Sequence, residues 1–586
     1  MTAARPSTPV RRSDAARPAA PGRAGSRRDR RRSVARAVVV SLVVVGASGA
    51  LAAYGDDLVP SGTLASPAGE AVAIEARSTV AVCPGPVVLA DPGSTADAEF
   101  GSTPDETLTT LQVAAFGAAT TSVLVPLGPD AGSGDQRTVQ GSDPSAYAVA
   151  DQGPRSEVLR STTAAGDTSD AAASTSSATA SGDLRGLAAA SCAAPGVDQW
   201  LVGGGTELGS STRLVLSNPS RTPATVTISL WGPSGALDPA GPTTYLVPPG
   251  EEVSTLVEGL AAQQRGLVVR ATSAGALVTA TLQHSVLDGL TARGVDLVVP
   301  GDAPATAQVV TGVSIEASEI GDPDVASVRL LAPDEGGTAT LLVLGEDGQR
   351  VLRGAQTTEL VAGTVTDVSL SGLPAGSYSV VVQADVPVVA GAVATSTGEA
   401  DDDEPLLGTP VDRTWVASHR TTSTAPSSAV LPEGTQGTVT LVALPADLDG
   451  TTDLAGVVPI VYDEESTEES TEEAEGAEGS AGPWAAAGLG TLEVYGTDGT
   501  LLGSSPVELA TGQTTSVVLE SVADDEQVGA VRFVPTAGAP STVEWSLTAR
   551  ADTISGSITT LQPTAPPAAQ DALVVRRSQT VGLPDS

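Results

Sequence analysis

The sequence predicts an all-β chain, in which tandem immunoglobulin-like or fibronectin-like β-sandwich domains follow a single N-terminal transmembrane helix. Three observations predict the sandwiches. Apolar and small polar residues alternate with period two in runs such as TVTISLWG (Thr225 to Gly232), and turns of glycine, proline and aspartate recur every eight to twelve residues. Landmarks also repeat at a constant offset, since Gly235 to Gly348, Gly250 to Gly363 and Leu260 to Leu373 are each 113 residues apart. Period two with β-branched residues and closely spaced turns is the pattern of an antiparallel sandwich, and a constant offset marks a duplicated unit. A propeller or solenoid is the alternative arrangement of the same strands.

The 586 residues correspond to roughly four domains at about 150 residues each. Residues 1–36 carry eleven arginines and two acids, a net of +9, with no apolar periodicity, and read as a disordered cytoplasmic head. Residues 37–53 (AVVVSLVVVGASGALAA) are uncharged and follow Arg30, Arg31, Arg32 and Arg36 directly, which is a membrane span or signal anchor with its positive side cytoplasmic. The alternative is secretion after cleavage at Ala50-Leu51-Ala52, although the basic region is long for a signal peptide. Either way, everything after about Tyr54 is exported, and residues 54–70 form a linker.

The exported part divides further. Residues 71–196 form a first, irregular β domain, in which the Ser/Thr/Ala/Asp stretch Ser161 to Asp183 reads as a mobile loop. Residues 197–294, 295–412 and 413–566 are three copies of the repeat, and 567–586 is a tail. The segments WLVGG (Trp200 to Gly204), LVVPG (Leu297 to Gly301) and WVASH (Trp415 to His419) are read as opening each copy. The third copy carries an insertion at 446–484, whose core DEESTEESTEEAEGAEGSAG (Asp463 to Gly482) reads as a solvated loop. Trp200, Trp231, Trp415 and Trp545 read as one anchor per sandwich core. Trp484 follows the acidic loop and is the candidate partner contact.

Cys83 and Cys192 are the two cysteines of the chain, and in an oxidising compartment they pair as a disulfide, with two buried thiols as the alternative. The run GDLRGLAAASCAAPGVDQWLVGGGTELGSSTRLVLSNPSRTPATVTISLWGPSG (Gly182 to Gly235), with CPGP at Cys83 to Pro86, resembles the actinobacterial family DUF5719, a domain of unknown function in exported, membrane-anchored proteins. The resemblance implies a high-GC Gram-positive source and a cell-envelope setting, with envelope polysaccharide assembly as a context. It brings no catalytic residues to carry over.

Composition excludes several chemistries. The chain has no lysine, so a phosphate-binding loop with its lysine and a Schiff-base nucleophile are both ruled out. His284 and His419 are the two histidines, both in or beside strand-like runs, and no G-x-S-x-G elbow accompanies them. Gly203-Gly204-Gly205 lacks the third glycine of a dinucleotide fingerprint and reads as a turn. Asp401 to Glu404 and Asp447 to Gly450 lack the spacing of a calcium loop. Beyond residue 36 the chain holds 67 acids against 19 arginines, which opposes binding to nucleic acid.

The expectation is therefore a non-catalytic, membrane-anchored envelope protein without a cofactor or metal. Its sandwiches would act as a stalk, scaffold or binding module toward an envelope protein or glycan. An envelope hydrolase or glycan-processing accessory with an atypical carboxylate site is the alternative, and raised carboxyl pKa values at a pocket mouth would favour it.

Overall fold

Alternation decides which side of a strand is buried. In Ala224–Gly232 the side chains of Ala224, Val226, Ile228 and Leu230 are buried while Thr225, Thr227 and Ser229 face outward. The computed structural model describes residues 70–72, 78–89, 107–117, 120–129, 135–163, 170–289, 291–318, 324–352, 356–400, 408–420, 425–446, 448, 458, 460–461, 486–566 and 573–575. The basic head, the apolar segment 37–53, Asp401 to Glu404, the acidic run Asp463 to Gly482 and Trp484 lie outside them. Among the described residues no helix is long and apolar enough to cross a membrane. The chain divides into two units. The smaller contains the strand Glu70–Val72 paired antiparallel with Leu573–Val575, and the larger spans residues 73–571.

The larger unit is all-β. It contains four copies of one topology rather than three copies and an irregular domain. In the second copy the strands run in order Asp198–Val202, Ser210–Ser217, Ala224–Gly232, a fourth position split between Gly235–Ala236 and Thr244–Val247, Glu252–Leu256, Val268–Ala274, Thr279–Asp288 and Thr291–Val298. Strands 1-6-3-4 make one antiparallel sheet and strands 5-2-7-8 the other. The same order recurs from Thr79 to Ser191, from Ala305 to Ala417 and from Ser427 to Leu561, and in the third copy Gly376–Thr397 supplies both strand 6 and strand 7. In an immunoglobulin constant domain strands A, B, E and D share one sheet and C, F and G the other. Here the first strand lies instead in the sheet of strands 3 and 6. The turn between strands 4 and 5 is held by a glycine with positive φ at Gly250 (70°), Gly363 (69°) and Gly512 (83°), a backbone shape open to glycine at little cost.

Several boundaries shift. Strands Thr291–Val298 and Val411–Ala417 run across residues 294 and 412, so those positions are not joints. LVVPG and WVASH close the second and third copies, and only WLVGG opens one. The reason is burial, because these last strands lie between sandwiches and carry the apolar runs expected of an inner strand. The Ser/Thr/Ala stretch is likewise not a loop over its length. Asp170–Thr179 is a buried strand whose hydroxyls pair across the sheet, Thr107 with Thr179 at 2.8 Å and Thr109 with Ser177 at 2.9 Å. The insertion at 446–484 also begins packed: Leu448 and Val458 are buried between the third and fourth copies, and Ile460–Val461 pairs parallel with Gly348–Arg350.

Each sandwich has its own core, such as Leu111, Val113, Leu124, Leu159 and Ala173 around Cys83 and Cys192 in the first. The four are not strung out as a stalk. They close a ring in which every neighbouring pair shares an apolar cluster. Val87, Ala188, Val295 and Leu297 join the first to the second, and Val202, Val268, Leu331 and Val389 the second to the third. Val309, Leu342, Val381 and Val442 join the third to the fourth. Phe116, Ala172, Val430 and Tyr495 return to the first, beside the Arg532–Asp170 ion pair at 2.5 Å. Trp200 and Trp231 stack at 5.2 Å in the joint between the second and third copies rather than in separate cores, and Trp415, from the third, completes the core of the second. Trp545 alone fills the core of its own copy.

Candidate functional site

The eighth strands, Gly186–Ser191, Thr291–Val298, Val411–Ala417 and Thr559–Leu561, form the inner wall of the ring, each against the next. Two of them carry an acid, Asp296 near the end of Thr291–Val298 and Asp412 near the start of Val411–Ala417, and both carboxylates are 0% exposed. Asp412 sits where all four sandwiches meet. Its Oδ2 accepts the backbone N–H of Leu187 at 2.9 Å and of Ile558 at 3.0 Å, and its Oδ1 that of Arg413 at 2.9 Å. The N–H of Val295 adds a fourth donor. One carboxylate thus collects donors from the first, second, third and fourth sandwiches. Gly186 and Gly294 make room for it, since a Cβ at either position would run into the Asp412 carboxylate.

Asp296 is held similarly. Its Oδ2 accepts the Trp415 N–H at 2.7 Å, and Thr559 Oγ1 lies 3.3 Å from its Oδ1 while accepting the Ala189 N–H at 3.1 Å. Burial pushes the Asp412 carboxyl up to about 7 and that of Asp296 well above the carboxylate range, with the backbone donors holding both back. Burial also pushes the Arg413 guanidinium down to about 10, and its Nε–H donates to the Arg293 carbonyl at 2.6 Å.

His284 stands next to this wall, 3% exposed. The Trp415 indole N–H, a donor only, approaches His284 Nδ1 at 3.1 Å, so Nδ1 accepts and the ring proton is on Nε2. Nε2 then donates to Ser210 Oγ at 2.9 Å, and Ser210 donates to the Gly205 carbonyl at 3.0 Å. A serine beside a histidine resembles a hydrolytic dyad, but here Nε2 carries the proton that a general base would have to accept. The arrangement orients a structural histidine. Burial pushes His284 well below the ordinary histidine range.

That shift has a measurable sign. Between its lowered folded pKa and about 6.5 the unfolded chain binds a proton that the folded chain does not, so His284 contributes stability above about 6.5 that is lost as pH falls. Asp412 acts oppositely, losing stability as pH rises from 3.8 toward 7. A His284→Gln variant separates the two. The stability difference between parent and variant, measured by urea unfolding, is expected to narrow from pH 7 to pH 5, and a constant difference would show that His284 takes up its proton in the folded state.

At the C-terminal ends of the eighth strands the ring opens into a groove of about 710 Å³. All four sandwiches contribute, through residues such as Pro195, Val299, His419 and Pro563. Among the described residues that line it, none is aspartate, glutamate or arginine, and none is aromatic apart from His419, which burial pushes down to about 4 and so keeps neutral. Cys192 lies in the wall, bonded to Cys83 in the core behind it. A second, polar cavity of about 230 Å³ is lined by Arg293, Glu316, Asp324 and Thr397. Both acids there are engaged, Glu316 with the Ser396 hydroxyl at 2.9 Å and the Thr397 N–H at 3.0 Å, and Asp324 with Arg293.

Of the residues singled out from sequence, Cys83 and Cys192 are joined as a disulfide, and Trp484 lies outside the described residues. Burial raises three carboxyl groups among the described residues, Asp296 and Asp412 in the wall and Asp170, which is ion-paired with Arg532 and adjoins the groove-lining Ala171. Among the described residues no cluster of three or more His, Cys, Asp or Glu is placed to hold a metal. The hub and the groove have no repeated signal in the sequence, since Asp296 and Asp412 fall at different positions of their strands.

The family of unknown function DUF5719 matches residues 147–474, from the fifth strand of the first sandwich to the acidic insertion, and so includes Leu187, Asp296 and Asp412. No curated protein in the comparison matches the chain. Among solved structures, one titled "Biofilm associated protein - BSP domain" aligns at 9% identity over 87% of this chain and 99% of its own, with a TM-score of 0.11, a likeness that carries no argument.

Proposed function

This chain belongs to the DUF5719 family, whose function is unknown, and on that premise we propose that it is a non-catalytic, membrane-anchored cell-envelope protein acting as an extracytoplasmic scaffold or binding module. The observation that carries the reading is the hub. Asp296, Asp412 and His284, three buried groups with chemistry an enzyme could use, spend their hydrogen bonds on backbone amides and on Trp415 and Ser210. That bonding supports a rigid frame, and the frame presents one large groove where the four sandwiches meet.

The remaining parts rest on the sequence. The arginine-rich head followed by the apolar segment 37–53 supports an anchor with a cytoplasmic N-terminus, and the disulfide supports an oxidising compartment for the bulk. The partner is an envelope protein or glycan, with envelope polysaccharide assembly as the setting. The test is a pull-down of the tagged full chain from crosslinked membranes, after carbonate washing and with an untagged control. Retention in the washed membrane with stoichiometric recovery of one envelope enzyme or polysaccharide is the expected result. Release by carbonate would favour cleavage and secretion, and recovery of nothing specific would overturn the scaffold reading.

A further inference from the structure

We infer that the axial groove holds a lipid hydrocarbon chain, a reading that rests on the membrane-anchored placement proposed above. The first argument is charge. Among the described residues, none of the 23 that line the groove is an acid or an arginine. A phosphate, nucleotide or carboxylate ligand calls for cationic partners, and the described wall residues include no arginine. A sugar ring calls for hydrogen bonding around its whole rim, whereas the polar residues of this wall, Ser418, Gln562 and Thr564 among them, are outnumbered by alanine, valine, leucine and proline. What the wall offers is apolar surface from Val80, Ala81, Ala172, Leu277, Val299 and Pro300, which favours a ligand whose own surface leaves water on binding.

The second argument is size and place. A volume of about 710 Å³ falls within the range of about 300–1,000 Å³ usual for small-molecule sites. Ser78 lines the groove only 25 positions beyond Ala53, the end of the apolar segment, so the wall lies within roughly 85 Å of contour length from the anchor. The neutral groups Ser418, Gln562 and Thr564 add hydrogen-bonding capacity for an uncharged ester or hydroxyl at one end of such a chain.

The test uses the purified full chain in phosphatidylcholine vesicles doped with a phospholipid bearing a photoactivatable diazirine on its acyl chain. After irradiation, adducts are mapped by peptide mass spectrometry. Adducts are expected within 78–81, 191–195 and 562–566, and also within 37–53. Ala194→Arg and Leu277→Arg each place a charge at the groove from an exposed position, Leu277 being 47% exposed, so folding is retained. Each is expected to reduce groove adducts at least tenfold while leaving those in 37–53 unchanged. Adducts confined to 37–53 would overturn the groove inference and leave the anchor standing. Their absence from both regions would overturn both. Groove adducts that persist in both variants, or groove residues crosslinked to a second copy of the chain instead of lipid, would also overturn it.

Discussion

Replacing Asp412 with alanine is expected to destabilise the protein by about 3–5 kcal/mol, the range for removing one member of a buried charged network. The side chain accepts backbone N–H groups from the ends of all four sandwiches, so its loss leaves donors at Leu187, Val295, Ile558 and Arg413 buried without an acceptor. Each stranded donor costs about 1–3 kcal/mol. Relief of the buried charge offsets part of this, since burial already raises the carboxyl to about 7. Asp412→Asn keeps the shape and one acceptor oxygen but turns an NH₂ group toward N–H donors, and is expected to fall between parent and alanine variant. Urea unfolding measures the loss, and limited proteolysis tests its place. Cleavage is expected to appear first at the connections between sandwiches, for instance 299–304 and 418–426, because the hub joins sandwiches rather than building any one of them. A loss below about 1 kcal/mol for the alanine variant would mean that the shared apolar clusters close the ring unaided.

Much of this architecture was legible in the chain. The 113-residue offset located two copies, and the alternation in Thr225 to Gly232 and Thr491 to Val494 assigned their strands. The first copy escaped for a physical reason. Its seventh strand, Asp170–Thr179, is buried through alanine, serine and threonine rather than large β-branched residues, so it has the composition of a loop while its hydroxyls satisfy one another across the sheet. It also has Gly141-Ser142-Asp143-Pro144 between strands 4 and 5, where the second copy has Pro249-Gly250. The joints were misplaced because the eighth strands face neighbouring sandwiches and therefore carry short apolar runs, such as Leu297 to Val299, that read as openings. The hub was the least legible part. Asp296 and Asp412 lie in strands that also carry arginine and threonine, so their burial has no mark in the sequence, and closure of four sandwiches onto one of them is a property of the ring and of no local pattern.

Breaking the disulfide is the second large perturbation. A Cys83→Ser, Cys192→Ser double variant is expected to lose on the order of 4–5 kcal/mol in the chain-entropy account, because the bond closes a separation of 109 residues. The loss should be local in its first effects. Cys83 ends the first strand of the first sandwich, which lies at the edge of its sheet and forms a ladder with Glu157–Thr162 alone. Cys192 follows the eighth strand, in the opposite sheet, and the Val82–Ala193 bridge is the backbone contact beside the bond. The surrounding core of Leu111, Val113, Leu124, Leu159 and Ala173 is small, so little apolar burial replaces the covalent tie. Native-state hydrogen exchange is expected to accelerate first in residues 79–83 and 186–193, while Val439 to Ala443 and Val543 to Leu547, in the core of the fourth sandwich, stay protected. Uniform acceleration across all four sandwiches would instead mean that the ring unfolds as one cooperative body, in which case the disulfide stabilises the whole frame through the first sandwich. Because Gly186–Ser191 also donates the Leu187 N–H to Asp412, the two perturbations share a strand. Their combined loss in a triple variant is therefore expected to fall short of the sum of the separate losses.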